Sequence, residues 1–334
     1  MRAGRIKVST REFKVVDFPI PHPGPGQVRV QVKAAGVCLS DVHLIDSTLS
    51  PGYLEGDEVT MGHEVAGVIE YLGAGVSDWK IGDRVIICAG IRDEKGRVRT
   101  QGFDFDGGFA EFMIADVSTL VAIHGELSFE QACIIPDAVS TPWAAISQTA
   151  KVESGESSMV FGLGGLGIHA IQLLKIIGSS PIIAVDPLPL ARERALLVGA
   201  DLALDPSDGE FAKKIRTATN GRGINVAFDF AGVVAARTQA LPLLAEGGRL
   251  VVIGIAGEPI SIPSDMAFVY KRNQILGHYG SEPQHTQELV SLIKAGKLDL
   301  SASITGVYSL EEAEVALRQL ELKIDNPIRI ILKP

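Results

Sequence analysis

Residues 158–178 read SMVFGLGGLGIHAIQLLKIIG, an apolar strand that turns on closely spaced glycines straight into a helical period. A strand, a glycine turn and a helix in immediate succession commit the chain to a crossover unit, and crossover units build parallel sheets. Gly162, Gly164 and Gly167 keep the G-x-G-x-x-G spacing. Gly162 permits the tight turn, Gly164 a close backbone approach to a pyrophosphate, and Gly167 close helix packing, with Gly165 and Leu166 in the same turn. The next apolar run, PIIAVD, ends at Asp186, about 20 residues on, where a carboxylate accepts from both ribose hydroxyls and repels a 2′-phosphate. The pattern predicts NAD in preference to NADP. Arg192 and Arg194 pull the other way, because a guanidinium pairs with such a phosphate, although at these positions arginines are more often solvated.

The texture on either side sets the organisation. Upstream, KVVDF, QVRVQVKAA, EVAGVIEYLG and DRVIICAG are short strands between Gly and Pro signals, an all-β pattern. Downstream, PIIAVDP, LARERALLVGA, INVAFDFAG and GRLVVIGIAG alternate strand with helix, as in a Rossmann doubly wound parallel sheet. The fold class is α/β plus β, with an all-β domain over 1–147 and a dinucleotide-binding α/β domain over 148–274. The stretch 275–334 is too small to bury a core of its own and is expected to pack back on the first domain. At 334 residues and 46% hydrophobic the chain supports two cores.

A net charge of −9 without a basic stripe argues against nucleic acid. No apolar run is long enough for a bilayer, and MRAGRIKVST does not read as a signal peptide. Three cysteines, Cys38, Cys88 and Cys133, cannot form a disulfide framework, which fits a reducing, cytoplasmic setting and turns attention to metal binding or catalysis. GVCLSDVH places Cys38, Ser40 and His43 together, and GHE places His63 beside Glu64. A thiolate and an imidazole suit zinc, but a catalytic zinc needs three protein ligands and an open position. Taken singly, Cys38 reads as a small buried apolar residue and His63 as a turn histidine.

AAGVCLSDVH, MGHEVAGVI, VSDWKIGDRV, GGFAEFM, VFGLGGLG and IRIIL, in that order, resemble the zinc-dependent medium-chain alcohol dehydrogenases over nearly the whole chain. The resemblance implies a GroES-like first domain completed by C-terminal segments, and a single catalytic zinc per subunit. It also implies that Cys38 and His63 are ligands, that Glu64 is a carboxylate tuning the metal, and that Ser40 and His43 relay the substrate proton. IIPDAVSTPW falls where the family's third ligand lies, with Asp137 at the ligand position and Thr141 where a threonine supports the nicotinamide. Read alone, Asp137 is a helix cap. Cys133, four residues earlier, is a rival ligand in an apolar neighbourhood. Arg329 matches a position that reaches the pyrophosphate, and Leu39 stands where relatives often carry a basic residue.

The four closely spaced cysteines of a structural zinc are missing from 88–106, so none is expected there. His278 is either a contact to substrate or cofactor or a packed histidine. Relatives join their sheets through the strand resembling RLVVIGI, which implies a homodimer or homotetramer. The implied activity is reversible oxidation of a primary or secondary alcohol to an aldehyde or ketone, with a small-molecule alcohol or carbonyl partner. Its rivals are a zinc-free enoyl or quinone-type reductase and a catalytically silent NAD-binding structural protein.

Overall fold

The computed structural model describes residues 1–255 and 257–334. They divide into two compact units, residues 1–140 with 281–334, and residues 141–280.

The first unit is organised by the strand Gln27–Val37, QVRVQVKAAGV. Val28, Val30 and Val32 alternate inward, and from Ala34 onward every residue is buried because neighbours cover both faces. One edge pairs with Glu64–Leu72. The other is shared between Phe112–Asp116 along its first half and the C-terminal strand Arg329–Lys333 along its second, all antiparallel. The C-terminal strand also pairs, in parallel, with Ile304–Ser309. Helix Ala313–Glu321 buries Ala313, Ala316, Leu317 and Leu320, a one-faced helical spacing, in the same core as Ile330 and Leu332. The last residues of the chain therefore supply an interior strand of the first unit's sheet.

Gly36 lies opposite Glu64 in this register, and a Cβ there would overlap the Glu64 carboxylate. The glycine is what lets a buried acid sit against the neighbouring strand. The 88–106 segment forms the hairpin Gly90–Arg92 with Val98–Thr100. It is tied down by Asp93 with Arg97, by Arg92 with Glu282, and by Asp104, which accepts from the backbone of Tyr53 and Thr100. Cys88 donates to Thr286 Oγ1 at 3.4 Å, and burial pushes its thiol up to about 11.

The second unit carries six parallel strands: Ser158–Phe161, Ile182–Val185, Leu202–Leu204, Ile224–Asp229, Leu244–Val252 and Gln274–Gly277. Counted in chain order they lie 3-2-1-4-5-6, the doubly wound order, with its switch point between the first and fourth. SMVF and IIAV are buried throughout, as strands covered by helices on both faces must be. One expectation is corrected. RLVVIGI supplies Leu244–Val252, which is hydrogen-bonded on both sides, so its backbone is not available to another subunit; the edges are Leu202–Leu204 and Gln274–Gly277.

Candidate metal and cofactor sites

Three backbone segments reach the same end of the first unit's sheet. Cys38 follows Gln27–Val37, His63 immediately precedes Glu64–Leu72, and Arg329 begins the C-terminal strand whose Ile330 pairs with Val37. Asp137 arrives from a different element, the π-helical turn Ile135–Val139, a geometry that occurs mostly as single turns at functional sites. The position before that turn is Ile134, so Asp137 is not its cap. Donor atoms of Cys38, His63, Glu64 and Asp137 all lie within 4.8 Å of one another. Cys133 is fully buried and outside this group. Burial, then the neighbouring Glu64 charge, pushes its thiol well above the ordinary range.

Zinc bonds of about 2.0–2.1 Å to nitrogen or oxygen and about 2.3 Å to sulfur put neighbouring donors about 3.3–3.6 Å apart. The 3.5 Å spacing of Asp137 Oδ2 and Cys38 Sγ falls within, and the 3.7 Å spacing of Asp137 Oδ2 and His63 Nε2 slightly beyond, what a tetrahedral metal would require. Both Glu64 oxygens are buried without an aligned hydrogen bond, although Arg329 Nη2 is 3.0 Å from Oε1; the two charges are close but out of line. Burial pushes the Glu64 carboxyl up to about 8 against the pull of Arg329. Burial would lower the His63 imidazole, but the charge of Asp41 and hydrogen bonding to Asp137 outweigh it and hold its proton. A buried thiol, imidazole and carboxylate set of this kind fits a divalent cation, which would displace that proton.

Asp41 was not among the residues singled out from sequence. It is fully buried; its Oδ2 accepts from Cys38 N at 2.9 Å and its Oδ1 lies 3.3 Å from His63 Nδ1, off the ideal hydrogen-bond line. One carboxylate therefore fixes the backbone of one donor and faces the far nitrogen of another, leaving Nε2 to face Asp137. The available signal was an acid three residues after Cys38, at the start of helix Leu39–Ile45. Asp41→Asn is expected to weaken metal affinity about 10- to 100-fold while the protein stays folded, as measured by competition with a fluorescent zinc chelator.

The two proton-relay candidates also belong to this unit. Ser40 Oγ is 3.2 Å from His63 Nε2, and His43 Nδ1 is 3.4 Å from Asp46 Oδ2 with the ring 27% exposed. Arg329, expected at the pyrophosphate, is 2% exposed and lies with the acid cluster, 4.0 Å from Asp137 Oδ2.

In the second unit, Gly162 has φ +83°, and a Cβ there would come 2.7 Å from Ala231 N, across the switch point. A Cβ at Gly167 would overlap the Gly162 carbonyl. Asp186 accepts from Leu163 N and Leu188 N, both at 2.9 Å, tying the end of the second strand to the glycine turn. His169 Nδ1 donates to Gly165 O at 2.6 Å and braces the same turn from the helix, a role its sequence position did not advertise. His278 is half-buried; its Nε2 donates to Thr141 O at 3.1 Å and its Nδ1 lies 2.8 Å from Thr149 Oγ1.

Two family models match the chain, the alcohol dehydrogenase GroES-like domain over residues 24–125 and the zinc-binding dehydrogenase over residues 165–295. The protein designated alcohol dehydrogenase D of Mycobacterium tuberculosis is 30% identical, over 93% of this chain and 94% of its own length. The chain belongs to the zinc-type medium-chain alcohol dehydrogenase family. Among its other relatives, the sorbitol dehydrogenase of Bacillus subtilis is 28% identical over 98% of this chain and 95% of its own. The crystal structure of an NAD-dependent alcohol dehydrogenase superposes with a TM-score of 0.90 at 26% identity, covering 100% of both chains. For a medium-chain dehydrogenase, the first unit is the GroES-like domain and the second the Rossmann-like nucleotide domain.

Proposed function

We propose that this medium-chain dehydrogenase is a zinc-dependent oxidoreductase that reversibly oxidises a primary or secondary alcohol to the aldehyde or ketone, with hydride transfer to NAD. The observation that carries the reading is the convergence of Cys38, His63, Glu64 and Asp137 donor atoms within 4.8 Å. Cys38, His63 and Asp137 hold one zinc. Glu64 is a nearby acid whose charge Arg329 partly offsets. When bound, zinc supplies Lewis acidity toward the substrate oxygen and the nicotinamide accepts the hydride.

The remaining work falls to this chain's own side chains. The Ser40 hydroxyl, beside the donor cluster, takes the proton of the substrate alcohol, and the partly exposed His43 passes it to solvent, with Asp46 at its Nδ1. The Gly162, Gly164, Gly165, Leu166 and Gly167 turn cradles the pyrophosphate at the N-terminus of helix Gly167–Ile177. Asp186 takes the ribose hydroxyls, and its charge disfavours NADP. Thr141 supports the nicotinamide and is held through its carbonyl by His278. Arg329 acts first as counter-ion to Glu64, with the pyrophosphate as a second partner.

Subunits associate through the edge strand Gln274–Gly277, around which Met266, Val269, Tyr270 and Tyr279 are each at least 72% exposed. No helix among the described residues is long and apolar enough to cross a membrane, and the three buried free thiols suit a cytoplasmic enzyme. Zinc analysis of the purified protein together with NAD reduction across a panel of alcohols and polyols tests the proposal. One equivalent of zinc per subunit, with turnover lost on chelation and restored by zinc, is the expected result. Full turnover in metal-free protein would overturn it.

A further inference from the structure

Arg192 lies in the first half of helix Pro189–Leu197, close behind Asp186, with its side chain 20% exposed. Its Nη1 donates to the carbonyls of Asp186 at 2.7 Å and Pro187 at 2.8 Å, and to Asp205 Oδ2 at 3.1 Å. Three acceptors around one nitrogen draw the guanidinium back onto the turn that carries Asp186. Asp205 comes from the neighbouring strand, immediately after Leu202–Leu204, which pairs in parallel with Ile182–Val185. It is itself fixed, because Ser207 donates to its Oδ1 from the backbone at 2.8 Å and from the hydroxyl at 2.6 Å. Those bonds, joined by the Arg192 charge, hold its carboxyl below the usual range, so it is ionised at neutral pH.

A 2′-phosphate placed at Asp186 meets a carboxylate and needs a cation close by. The chain has that cation within reach and pairs it elsewhere. We propose that Asp205 is a specificity-determining residue: by binding Arg192 it withholds the guanidinium from a 2′-phosphate and so reinforces the preference for NAD. The inference deepens, and rests on, the reading of the second unit as a nicotinamide-dinucleotide domain. Rejection of NADP is then built from two parts, a repulsive charge at Asp186 and an attractive one neutralised by Asp205.

Calorimetric titration of the full chain with NADH and with NADPH separates the parts, using the parent protein, Asp186→Ser, Asp186→Ser/Asp205→Ala, and the same pair with Arg192→Leu. Asp186→Ser narrows the preference for NADH. Adding Asp205→Ala tightens NADPH binding by a further factor of about 5 to 20, the scale of one charge-assisted phosphate contact, and adding Arg192→Leu removes that gain. Asp205→Asn, which keeps an oxygen for Ser207, shows the same direction. Equal NADPH affinity with and without Asp205→Ala, or a gain that survives Arg192→Leu, would overturn the proposal while leaving the dinucleotide reading intact. A parent protein that binds neither NADH nor NADPH overturns that reading and the proposal with it.

Discussion

Asp137→Ala is expected to lose bound zinc and alcohol-dependent NAD reduction together, activity falling about a hundredfold or more. Cys38 and His63 would remain as the only close-range protein ligands besides Glu64, and two ligands hold a zinc poorly. Glu64 cannot simply take over, because its carboxylate is packed against Gly36 and faced by Arg329. Asp137→Cys supplies a donor at the same place in the π-helical turn, so zinc is retained with an altered rate, thiolate donating more charge to the metal than carboxylate does. Metal analysis beside steady-state kinetics reads both. Full zinc occupancy in the alanine variant would return Asp137 to a structural role.

The second large effect falls on stability. Arg329 and Glu64 are 2% and 0% exposed and face each other at 3.0 Å. Above about pH 8, where Glu64 is ionised, removing one member of this buried ion pair strands the other charge at a cost of about 3–5 kcal/mol, whereas removing both charges is much closer to neutral. Arg329→Met is therefore expected to lower the urea midpoint of the metal-free protein strongly, and Arg329→Met/Glu64→Gln to recover most of the loss. If Arg329 also reaches the pyrophosphate, NADH affinity stays reduced in the double variant although stability returns. A single variant as stable as the parent would show that the pair contributes nothing to the fold.

The fold was legible because its signals are local. The 158–178 run declares strand, turn and helix within one window, and the switch from two-residue to helical periodicity near residue 150 marks the change from β to α/β. The C-terminal return was legible only as a shortage of core, since nothing in IRIILKP says which strand it joins; the pairing of Ile330 with Val37 answers that. Of the proposed metal ligands, Cys38 in CLSDVH and His63 in GHE were legible as a suggestive pair, while Asp137 lies 99 residues from Cys38 and required the resemblance. Three-dimensional proximity hid the rest. Asp41 sat inside a quoted motif with nothing in the sequence to mark it as a buried acid, and the need for a glycine at position 36 appears only with Glu64 opposite it. The interior position of Leu244–Val252 was also invisible, because an apolar run reads alike at the edge and in the middle of a parallel sheet.

X-ray absorption at the zinc edge of the purified protein tests the central claim most directly, because it counts the donors. The account predicts a single sulfur scatterer at about 2.3 Å with nitrogen and oxygen donors at about 2.0–2.2 Å, from Cys38, His63 and Asp137. Two sulfur scatterers, which would bring Cys133 or Cys88 to the metal in place of Asp137, or a protein that takes up no zinc at all, would contradict it.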